Sequence, residues 1–558
     1  MEYHLYSIAI ASFILVALLQ SWRSSKKAAK LPPGPRALPL IGNLHQIPAQ
    51  KRWLQFQRWA QKYGPIFTVY MGSKPVIVLT SPETVKDLLD KRGHIYSSRP
   101  ISYISDISSG GLHFAGMQYN DTWKMCHRVF ANHLNTKAAK RYYPYLELEN
   151  QQLLHSLLET PGDFREHISR YAYSFTSQVV FGFRTPRSSD PNLVRLHECF
   201  AEWSALEGQT MTTLADIYPV LQYLPDVLFP TRRHAQASFK KQLSIFLEHW
   251  NDAKARILGE TVCPCFAQDL LRAQEKEGFS DELAAFICGI LLTAGSDTVA
   301  AELSAFVQAM VLFPQVQERA QEELDRVCGD RLPTKDDAAS LPYVHACIKE
   351  TCRWMPMPVM GIPHATTQDD EYKGYHIPKG AMVFLNVWGI HMDPARHPNP
   401  RDFDPSRYLH DSKSMRESML SPDPNERDHY VFGAGRRMCQ GVDLAENSLF
   451  LSISRILWAF TIGKASDPSG GGDITPDPEA LVGGLAVAPA PFPARVVPRS
   501  EQRVRTVRAG WDLAQAALRP GNQQWRVIQF QDLGMKRPQI WADESEWLRM
   551  SDVMMIAT

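Results

Sequence analysis

Apolar and polar residues follow a helical period over most of this chain. Apolar spacing of three and four residues recurs in Lys51–Tyr63 and throughout residues 140–270, for example in Leu146–Leu158 and Phe239–Ile257. Shorter runs bounded by turn residues, such as Ile66–Met71, predict strands instead. The pattern therefore predicts a mostly α-helical body with small β-sheets.

The longest helical pattern begins after Ser280 and runs to Leu312. Ser280 is a favourable N-cap, and Asp281 and Glu282 suit the positive end of a helix dipole. A proline at position 314 ends the pattern. A helix of this length would measure about 48 Å, which is enough to cross a whole protein body.

Polar residues interrupt the apolar middle of this predicted helix, in the stretch Ala294-Gly295-Ser296-Asp297-Thr298. We expect the Thr298 hydroxyl to donate a hydrogen bond to the carbonyl of Ala294 and to distort the helix locally. Gly295 has no side chain, so a flat cofactor and a diatomic ligand could come close to the backbone there.

A glycine-rich loop, FGAGRRMCQG at residues 432–441, precedes an apolar helical pattern at Val442–Phe460. Arg437 can pair with an anionic group such as a carboxylate in a forked geometry. We expect the loop N–H groups and the following helix to lower the pKa of Cys439 and favour a thiolate, a soft ligand suited to iron. Taken alone, the loop is also compatible with a buried cysteine at a strand-to-helix turn.

This loop fits the pattern FxxGxRxCxG from Phe432 to Gly441 and resembles the haem-binding loop of the cytochrome P450 family, here of the microsomal type. The resemblance implies a cytochrome P450 fold and a haem b (iron protoporphyrin IX) cofactor. It also implies that the Cys439 thiolate is the metal ligand and that Phe432 and Arg437 contribute to cofactor binding.

The polar stretch of the long helix resembles the oxygen-activating motif of the same family, [AG]GxDT. The resemblance implies that Thr298 and Asp297 are the catalytic residues, with Asp297 helping to deliver protons. It places Gly295 at the cofactor.

Two further sites, the helix of Trp123 and the residue His364, resemble places where the family contacts the haem propionates. In the family, a tryptophan and a basic residue on one helix, often as WxxxR, hold a propionate. Here Trp123 fits, but the fourth following residue is His127 and the arginine comes one later, at Arg128. The sequence leaves open which of the two is the partner. His364 corresponds to a basic residue that meets a propionate in relatives, although a lone histidine is also an ordinary strand residue.

A possible ion pair lies in the apolar helix Val344–Trp354, where Glu350 and Arg353 share a face at i and i+3. It resembles the ExxR pair of the family, which locks with an arginine of a later loop, matched here by Arg407. Ser406 stands where the family usually has glutamate. Pairing at the surface is the alternative for any one of these residues.

The segment from Tyr3 to Trp22 contains no charged residue and would span about 30 Å as a helix, enough for one bilayer crossing. A basic flank follows, which predicts that the downstream body faces the cytoplasm: Arg23, Lys26, Lys27 and Lys30. A cleaved signal peptide usually has its positive charge before the apolar run. We therefore expect a single-pass anchor in the endoplasmic reticulum membrane. The proline-broken stretch Thr210–Thr231 is either a membrane-facing mouth or a plain loop.

Composition adds limits to these expectations. The 558 residues are 44% hydrophobic and 21% charged, as in a globular protein, and the net charge of +1 gives no reason to expect nucleic-acid binding. Nine cysteines without framework spacing indicate reduced thiols.

The expected domains are an anchor with its basic flank at 1–30, a cytochrome P450 catalytic domain at 31–505, and a C-terminal extension of unknown role at 506–558.

The resemblance implies a haem-thiolate monooxygenase that oxidises an apolar small molecule. Its electrons would come from NADPH through NADPH-cytochrome P450 reductase, with cytochrome b5 as an additional donor. Gly361–Thr366 and Tyr372–Gly380 are similar to filamentous-fungal members that oxidise intermediates of secondary metabolism.

Other functions stay open at this stage. One is oxidation of xenobiotics, fatty acids or sterols. The others are a reductase-independent haem-thiolate isomerase or dehydratase and a non-catalytic haem-binding protein. The intact Asp297-Thr298 pair argues against the last two.

Overall fold

Helices make up most of the part of the chain that the computed structural model describes, which is residues 31–259, 263–483 and 487–526. The apolar segment Tyr3–Trp22 and its basic flank lie outside these residues. The α-helices are α1 Arg52–Tyr63, α2 Pro82–Val85, α3 Gly93–Tyr96, α4 Tyr103–Ser109, α5 Asp121–His133, α6 Thr136–Arg141, α7 Tyr143–Glu159, α8 Phe164–Phe181, α9 Pro191–Glu207, α10 Thr210–Ile217, α11 Thr231–Leu258, α12 Phe266–Glu277, α13 Asp281–Leu312, α14 Pro314–Cys328, α15 Pro342–Trp354, α16 Val387–His391, α17 Met415–Met419, α18 Val442–Ala459 and α19 Glu501–Gln515.

The strands form small sheets at the edges of the helical body. They are β1 Ile66–Met71, β2 Lys74–Leu79, β3 His364–Ala365, β4 Asp370–Tyr372, β5 Tyr375–Ile377, β6 Met382–Leu385, β7 Phe460–Ser466, β8 Asp473–Ile474, β9 Leu481–Gly483, β10 Val487–Pro489 and β11 Ala494–Pro498. The largest sheet has the order β1-β2-β6-β3, with β2 and β6 parallel and the other pairs antiparallel. A second sheet has the order β11-β7-β8, and two hairpins pair β4 with β5 and β9 with β10. The predicted mostly α body with small sheets is confirmed.

The helix α13 is the central element of the fold. Ser280 caps it by accepting a hydrogen bond from the Leu283 amide at 3.3 Å, as the sequence predicted. Most of its side chains are buried, and its main helical neighbours are α8, α11, α18 and α15. Within the described residues, α13 is the one helix long and apolar enough to cross a membrane, but its burial is that of a core helix.

The packing of α13 against α8 gives a structural reason for the glycine at position 295. A Cβ atom on Gly295 would point at α8 and lie 2.8 Å from Cγ2 of Thr176, which is too close for carbon atoms. The missing side chain therefore lets two helices approach each other.

The segment between residues 101 and 118 contains the helix α4, although its glycines and its mixed Ser, Leu and Phe residues give no helical pattern. Polar groups hold this helix to the region around α10: the Tyr103 amide donates to Asp216 at 2.7 Å, and the Ser105 hydroxyl donates to Glu207 at 2.5 Å. These hydrogen bonds come from residues more than 100 positions away in the chain, so local sequence carries little sign of the helix.

The predicted ion pair of α15 is a buried lock. Glu350 and Arg353 are both fully buried and share two hydrogen bonds of 2.6 and 2.7 Å, while Nε of Arg407 lies 3.5 Å from Glu350. Breaking a buried pair of this kind costs about 3–5 kcal/mol, because one charge is left without compensation. The lock fixes α15 against the loops that precede the cysteine loop.

The C-terminal segment continues through the expected domain boundary. The helix α19 runs across residues 505 and 506, and Trp511 and Trp525 are buried in the same hydrophobic core as α7 and α18. The Trp525 indole donates a hydrogen bond to Gln178 at 2.7 Å, and Gln524 exchanges two hydrogen bonds with the backbone of Arg184. Residues 501–526 therefore pack as part of the body.

Candidate active site

The cysteine loop is held by backbone hydrogen bonds and by one obligatory glycine. The Cys439 amide donates to the Phe432 carbonyl at 2.9 Å, which closes the loop on itself. Gly435 has a φ of +63°, and a Cβ atom there would collide with the carbonyl oxygen of Leu89. Its amide donates to Asp90 at 2.7 Å. The loop is thus fixed both internally and against the segment Lys86–Lys91.

The Cys439 side chain is accessible, yet protein atoms surround it. Burial raises the pKa of its thiol, because desolvation of the thiolate outweighs the stabilising effects of the Gly441 amide and the Arg416 charge. The prediction that the chain itself lowers this pKa is therefore wrong. The sulfur is nevertheless accessible, as a ligand to a cofactor must be.

Three basic side chains gather beside this loop, and within the described ranges none of them bonds to a carboxylate. Arg437 donates to the carbonyls of Ser97 and Met117, each at 2.7 Å. Arg99 is buried and donates to the carbonyls of Ala115, Ile362 and Pro363 at 2.6 to 2.8 Å. Burial lowers the pKa of Arg437 to about 9, and burial together with the Arg437 charge holds the pKa of Arg99 well below its usual value.

His364 lies beside the two arginines as a neutral imidazole. Its side chain is buried, and Nδ1 lies 2.8 Å from the carbonyl oxygen of Tyr96. Burial, the Arg99 charge and, less strongly, the Arg437 charge hold the pKa of His364 well below its usual value. Cations placed together in a desolvated site favour a bound anion, since an anion would relieve both the repulsion and the desolvation.

Two buried hydrogen-bond donors in this region have no partner among the described residues. They are Nη1 of Arg437 and Nε1 of Trp123. The guanidinium of Arg437 lies 4.1 Å from the centre of the Trp123 ring, so one interaction orients both groups. Buried donors are normally satisfied, and these two fit the acceptor oxygens of a carboxylate.

His127 and Arg128, the two candidate partners of Trp123, lie on different faces of their helix. The ring of His127 stacks on that of Trp123 with centroids 4.8 Å apart, and Nε2 lies 3.3 Å from Nε2 of Gln440 in the cysteine loop. Arg128 is exposed and lies 3.6 Å from Glu277 on another face of the helix. The structure thus brings His127, and not Arg128, to Trp123. In the sequence, the spacing of four residues between Trp123 and His127 already indicates that the two side chains share one face of a helix.

Thr298 and Asp297 lie on α13, which packs against α18, the helix that follows Cys439. The Thr298 hydroxyl donates to the Ala294 carbonyl at 2.7 Å, as predicted, and is exposed on a helix whose other faces are mostly buried. Asp297 makes no hydrogen bond or ion pair with any residue in the described ranges. Burial raises its pKa to about 7.

Arg99 is the residue of this site that sequence reasoning missed. It lies in Ser97-Ser98-Arg99-Pro100, which matches none of the motifs considered. It reaches the site only because the chain folds residues 99 and 437 together. Its burial without a carboxylate is visible only in the structure.

These features fit haem. An accessible sulfur lies in a closed loop, and a hydroxyl and a carboxylic acid lie on the neighbouring helix. Among the described residues, a group of basic side chains without a carboxylate partner, together with Trp123, offers unpaired donors to acidic side groups. The family model described as Cytochrome P450 matches residues 32–478.

Known fungal proteins are similar along nearly the whole chain. The chain is 47% identical to the cytochrome P450 monooxygenase virE of Hypocrea virens over 511 residues, which are 91% of this chain and 93% of the relative. It is 44% identical to the cytochrome P450 monooxygenase fogE of Aspergillus ruber over 525 residues, 93% of this chain and 97% of the relative. It is 43% identical to the cytochrome P450 monooxygenase fsoB of Humicola fuscoatra over 530 residues, 95% of this chain and 98% of the relative.

The fold and site define a haem-binding helical protein, and the chain belongs to the cytochrome P450 family. Membership implies a haem cofactor. The prediction that the chain is an enzyme, a cytochrome P450 monooxygenase, is confirmed by these relatives.

Proposed function

We propose that this enzyme is a membrane-anchored monooxygenase that oxidises an apolar small molecule, an intermediate of fungal secondary metabolism, with electrons from NADPH. The observation that carries the proposal is the accessible Thr298 hydroxyl beside the desolvated Asp297 carboxyl, on the helix that packs against the cysteine-loop helix. Ligation alone needs no such pair, whereas a reaction that consumes protons does.

The chain's own residues would hold the cofactor as follows. Cys439 would ligate the iron, and the propionates would lie against the cluster of basic side chains beside the loop, where Arg437 and Trp123 have unpaired donors. Arg99, His364 and His127 would complete this contact. Haem, when bound, supplies the activation of molecular oxygen and its transfer to the substrate.

Thr298 and Asp297 have complementary roles in this proposal. The Thr298 hydroxyl uses its hydrogen on the Ala294 carbonyl, so its oxygen lone pairs are free to accept a hydrogen bond on the accessible side. With a pKa of about 7, the Asp297 carboxyl gains and loses a proton near neutral pH. A group with such a pKa is suited to passing protons into a closed site.

The electron donor in this proposal is NADPH-cytochrome P450 reductase, with cytochrome b5 as an additional donor. Lys137 and Lys140 are exposed on α6, which lies against the cysteine-loop helix α18, and Arg436 is exposed within the loop itself. A basic surface close to the cysteine loop suits an acidic electron-transfer partner.

Membrane attachment in the endoplasmic reticulum would come from residues 1–30 and from a second apolar surface. Val220, Tyr223, Val227 and Leu228 are 64 to 86% exposed. The Tyr218 hydroxyl donates to the Leu40 carbonyl at 2.9 Å, so this surface lies beside the first described residues of the chain. An exposed apolar patch of this kind marks an interaction surface.

The catalytic proposal is tested by combining the full-length protein with a fungal reductase, NADPH and a panel of polyketide, alkaloid and terpenoid scaffolds. We expect NADPH oxidation and a product that contains one added oxygen atom, both dependent on the reductase. Product formed without reductase and NADPH would indicate an isomerase or dehydratase. Thiolate-bound haem without NADPH oxidation or product across the panel would contradict the proposed reaction.

The membrane proposal is tested by fractionating cells that express the full chain, a chain without residues 1–30, and that truncation with Val227→Asp. Membrane association should fall with the truncation and fall again with Val227→Asp. Val194→Asp, at a 42% exposed position outside the patch, is the matched control. An unchanged distribution after the truncation would contradict an N-terminal anchor.

A further inference from the structure

His391 is fully buried and joins two distant backbone segments through its two ring nitrogens. Nδ1 lies 3.2 Å from the carbonyl oxygen of Arg353, and Nε2 lies 2.8 Å from the backbone nitrogen of Tyr430. Because a backbone N–H can only donate, Nε2 must accept and Nδ1 must carry the hydrogen. The two contacts therefore fix one neutral tautomer.

On its Nδ1 side, His391 contacts Arg353 of the buried Glu350–Arg353 lock on α15. Nη1 of Arg353 donates to the His391 carbonyl at 3.2 Å, so the two residues hold each other through both main chain and side chain. Arg353 is itself fixed by its two hydrogen bonds to Glu350. The imidazole thus projects from a rigid part of the core.

On the other side, His391 holds the residue from which the cysteine loop begins. The Tyr430 carbonyl accepts from the Gly433 amide at 3.0 Å, which forms the turn into the loop. The neighbouring Phe432 carbonyl then accepts from the Cys439 amide at 2.9 Å. A shift of Tyr430 would therefore be passed through this turn to Cys439.

The surroundings of the imidazole keep it neutral. Burial is the largest influence, and the groups that face it are basic: His429, His397, Arg353 and Arg396. Together they hold the pKa of His391 well below its usual value. Nε2 therefore stays available as an acceptor at neutral pH.

We infer that His391 is a positioning residue for the thiolate: it ties the Tyr430 amide to the Glu350–Arg353 lock and so sets where the cysteine loop presents Cys439. The inference rests on the proposed ligation of haem by Cys439. His391 lies in none of the motifs that identified the site, and it acts through the backbone without touching the cofactor-binding side chains.

The test compares His391→Phe with His391→Gln. The phenylalanine keeps a ring but removes both hydrogen bonds, whereas the glutamine side chain can place an acceptor oxygen towards the Tyr430 amide. His429→Phe is the matched control, because His429 is also buried and lies closer to the loop in sequence. Both of its ring nitrogens lack a partner among the described residues. Its ring centre is 5.4 Å from that of Phe432, so a general packing effect would appear in this variant.

Two readouts are measured on the haem-loaded protein. Hydrogen exchange of the Tyr430 amide should be about tenfold faster in His391→Phe, which is the factor expected for one lost hydrogen bond. The carbon monoxide difference spectrum of the reduced protein should shift from that of thiolate-ligated haem towards that of haem without a thiolate ligand. His391→Gln should recover both readouts in part, and His429→Phe should resemble the wild type.

Unchanged Tyr430 exchange in His391→Phe, or equal effects of the two histidine-to-phenylalanine variants, would overturn the inference. If His391→Phe does not fold, His391→Asn replaces it, since a shorter amide keeps the donor towards Arg353 but does not reach Tyr430. His391→Asn must then differ from His391→Gln in the same two readouts. A wild-type protein without a thiolate spectrum would refute Cys439 ligation, while Tyr430 exchange would still report on His391.

Discussion

The guanidinium of Arg437 lies 4.1 Å from the centre of the Trp123 indole ring, and each of these buried groups has a donor without a partner among the described residues. The stacked pair is oriented by its own cation–π interaction and by two carbonyls that bind Arg437. The two unpaired donors, Nη1 of Arg437 and Nε1 of Trp123, therefore indicate a ligand with acceptor oxygens. Arg99 and His364 surround the same place with further basic groups.

The first prediction concerns this cluster of basic side chains. Arg99→Gln and Arg437→Gln should each speed the loss of haem by about tenfold or more, because a charge-assisted hydrogen bond is worth about 1.5–3 kcal/mol. The measurement is the rate of haem transfer to an excess of an apo-globin. Arg128→Gln is the control, since Arg128 is exposed and lies near Glu277. Faster loss in Arg128→Gln alone would mean that the cluster does not hold the propionates.

The second prediction concerns Thr298. Thr298→Ala should keep haem bound but make NADPH consumption exceed product formation by several-fold, because the accessible hydroxyl that orders protons is lost. Ser304→Ala is matched to it: Ser304 also donates to the carbonyl four residues earlier, at 2.7 Å, but is buried. Its ratio of product to NADPH should stay at the wild-type value. Equal ratios in all three proteins would remove Thr298 from proton handling.

The third prediction concerns the pH dependence caused by Asp297. Its pKa is about 7 in the folded chain and about 4 in an unfolded one. The folded state therefore binds the proton more tightly, and this contribution to stability is complete below about pH 4 and lost as the pH rises through about 7. Relative to Asp297→Asn, the wild type should lose thermal stability between about pH 5 and pH 8. A difference that is constant over this range would show that Asp297 is not desolvated.

The fourth prediction concerns the C-terminal segment. Trp525→Ala should lower the free energy of unfolding by about 3–5 kcal/mol, because it opens a cavity and leaves Gln178 without its indole donor. Leu513→Ala, at a 54% exposed position of α19, should change it by no more than about 0.5 kcal/mol. Denaturant titration of both variants measures the difference. Similar small effects would mean that residues 501–526 are an appendage and not part of the body.

The elements that sequence analysis located best are those with strong local signals. Ser280 and the proline at position 314 mark the two ends of α13, and the back-bonded Thr298 depends only on the carbonyl one turn earlier. The cysteine loop was recognised because its glycines, arginine and cysteine have fixed spacing. Each of these features is determined within about ten residues of chain.

The features that were missed or misjudged depend on tertiary contacts. Arg99 enters the site from a segment without a motif, and Gly295 faces Thr176 on another helix. The pKa of Cys439 was expected to fall on account of nearby N–H groups, but desolvation by the surrounding protein outweighs them. Burial and helix contacts of this kind are not encoded in the spacing of one segment.

Ligation of haem by Cys439 is tested most directly by the carbon monoxide difference spectrum of the reduced, purified full-length protein and of Cys439→Ala. We expect one haem per chain with the spectrum of a thiolate ligand in the wild type, and loss of that spectrum in Cys439→Ala. A thiolate spectrum that survives in Cys439→Ala, or a wild-type protein that binds no haem, would contradict this ligation.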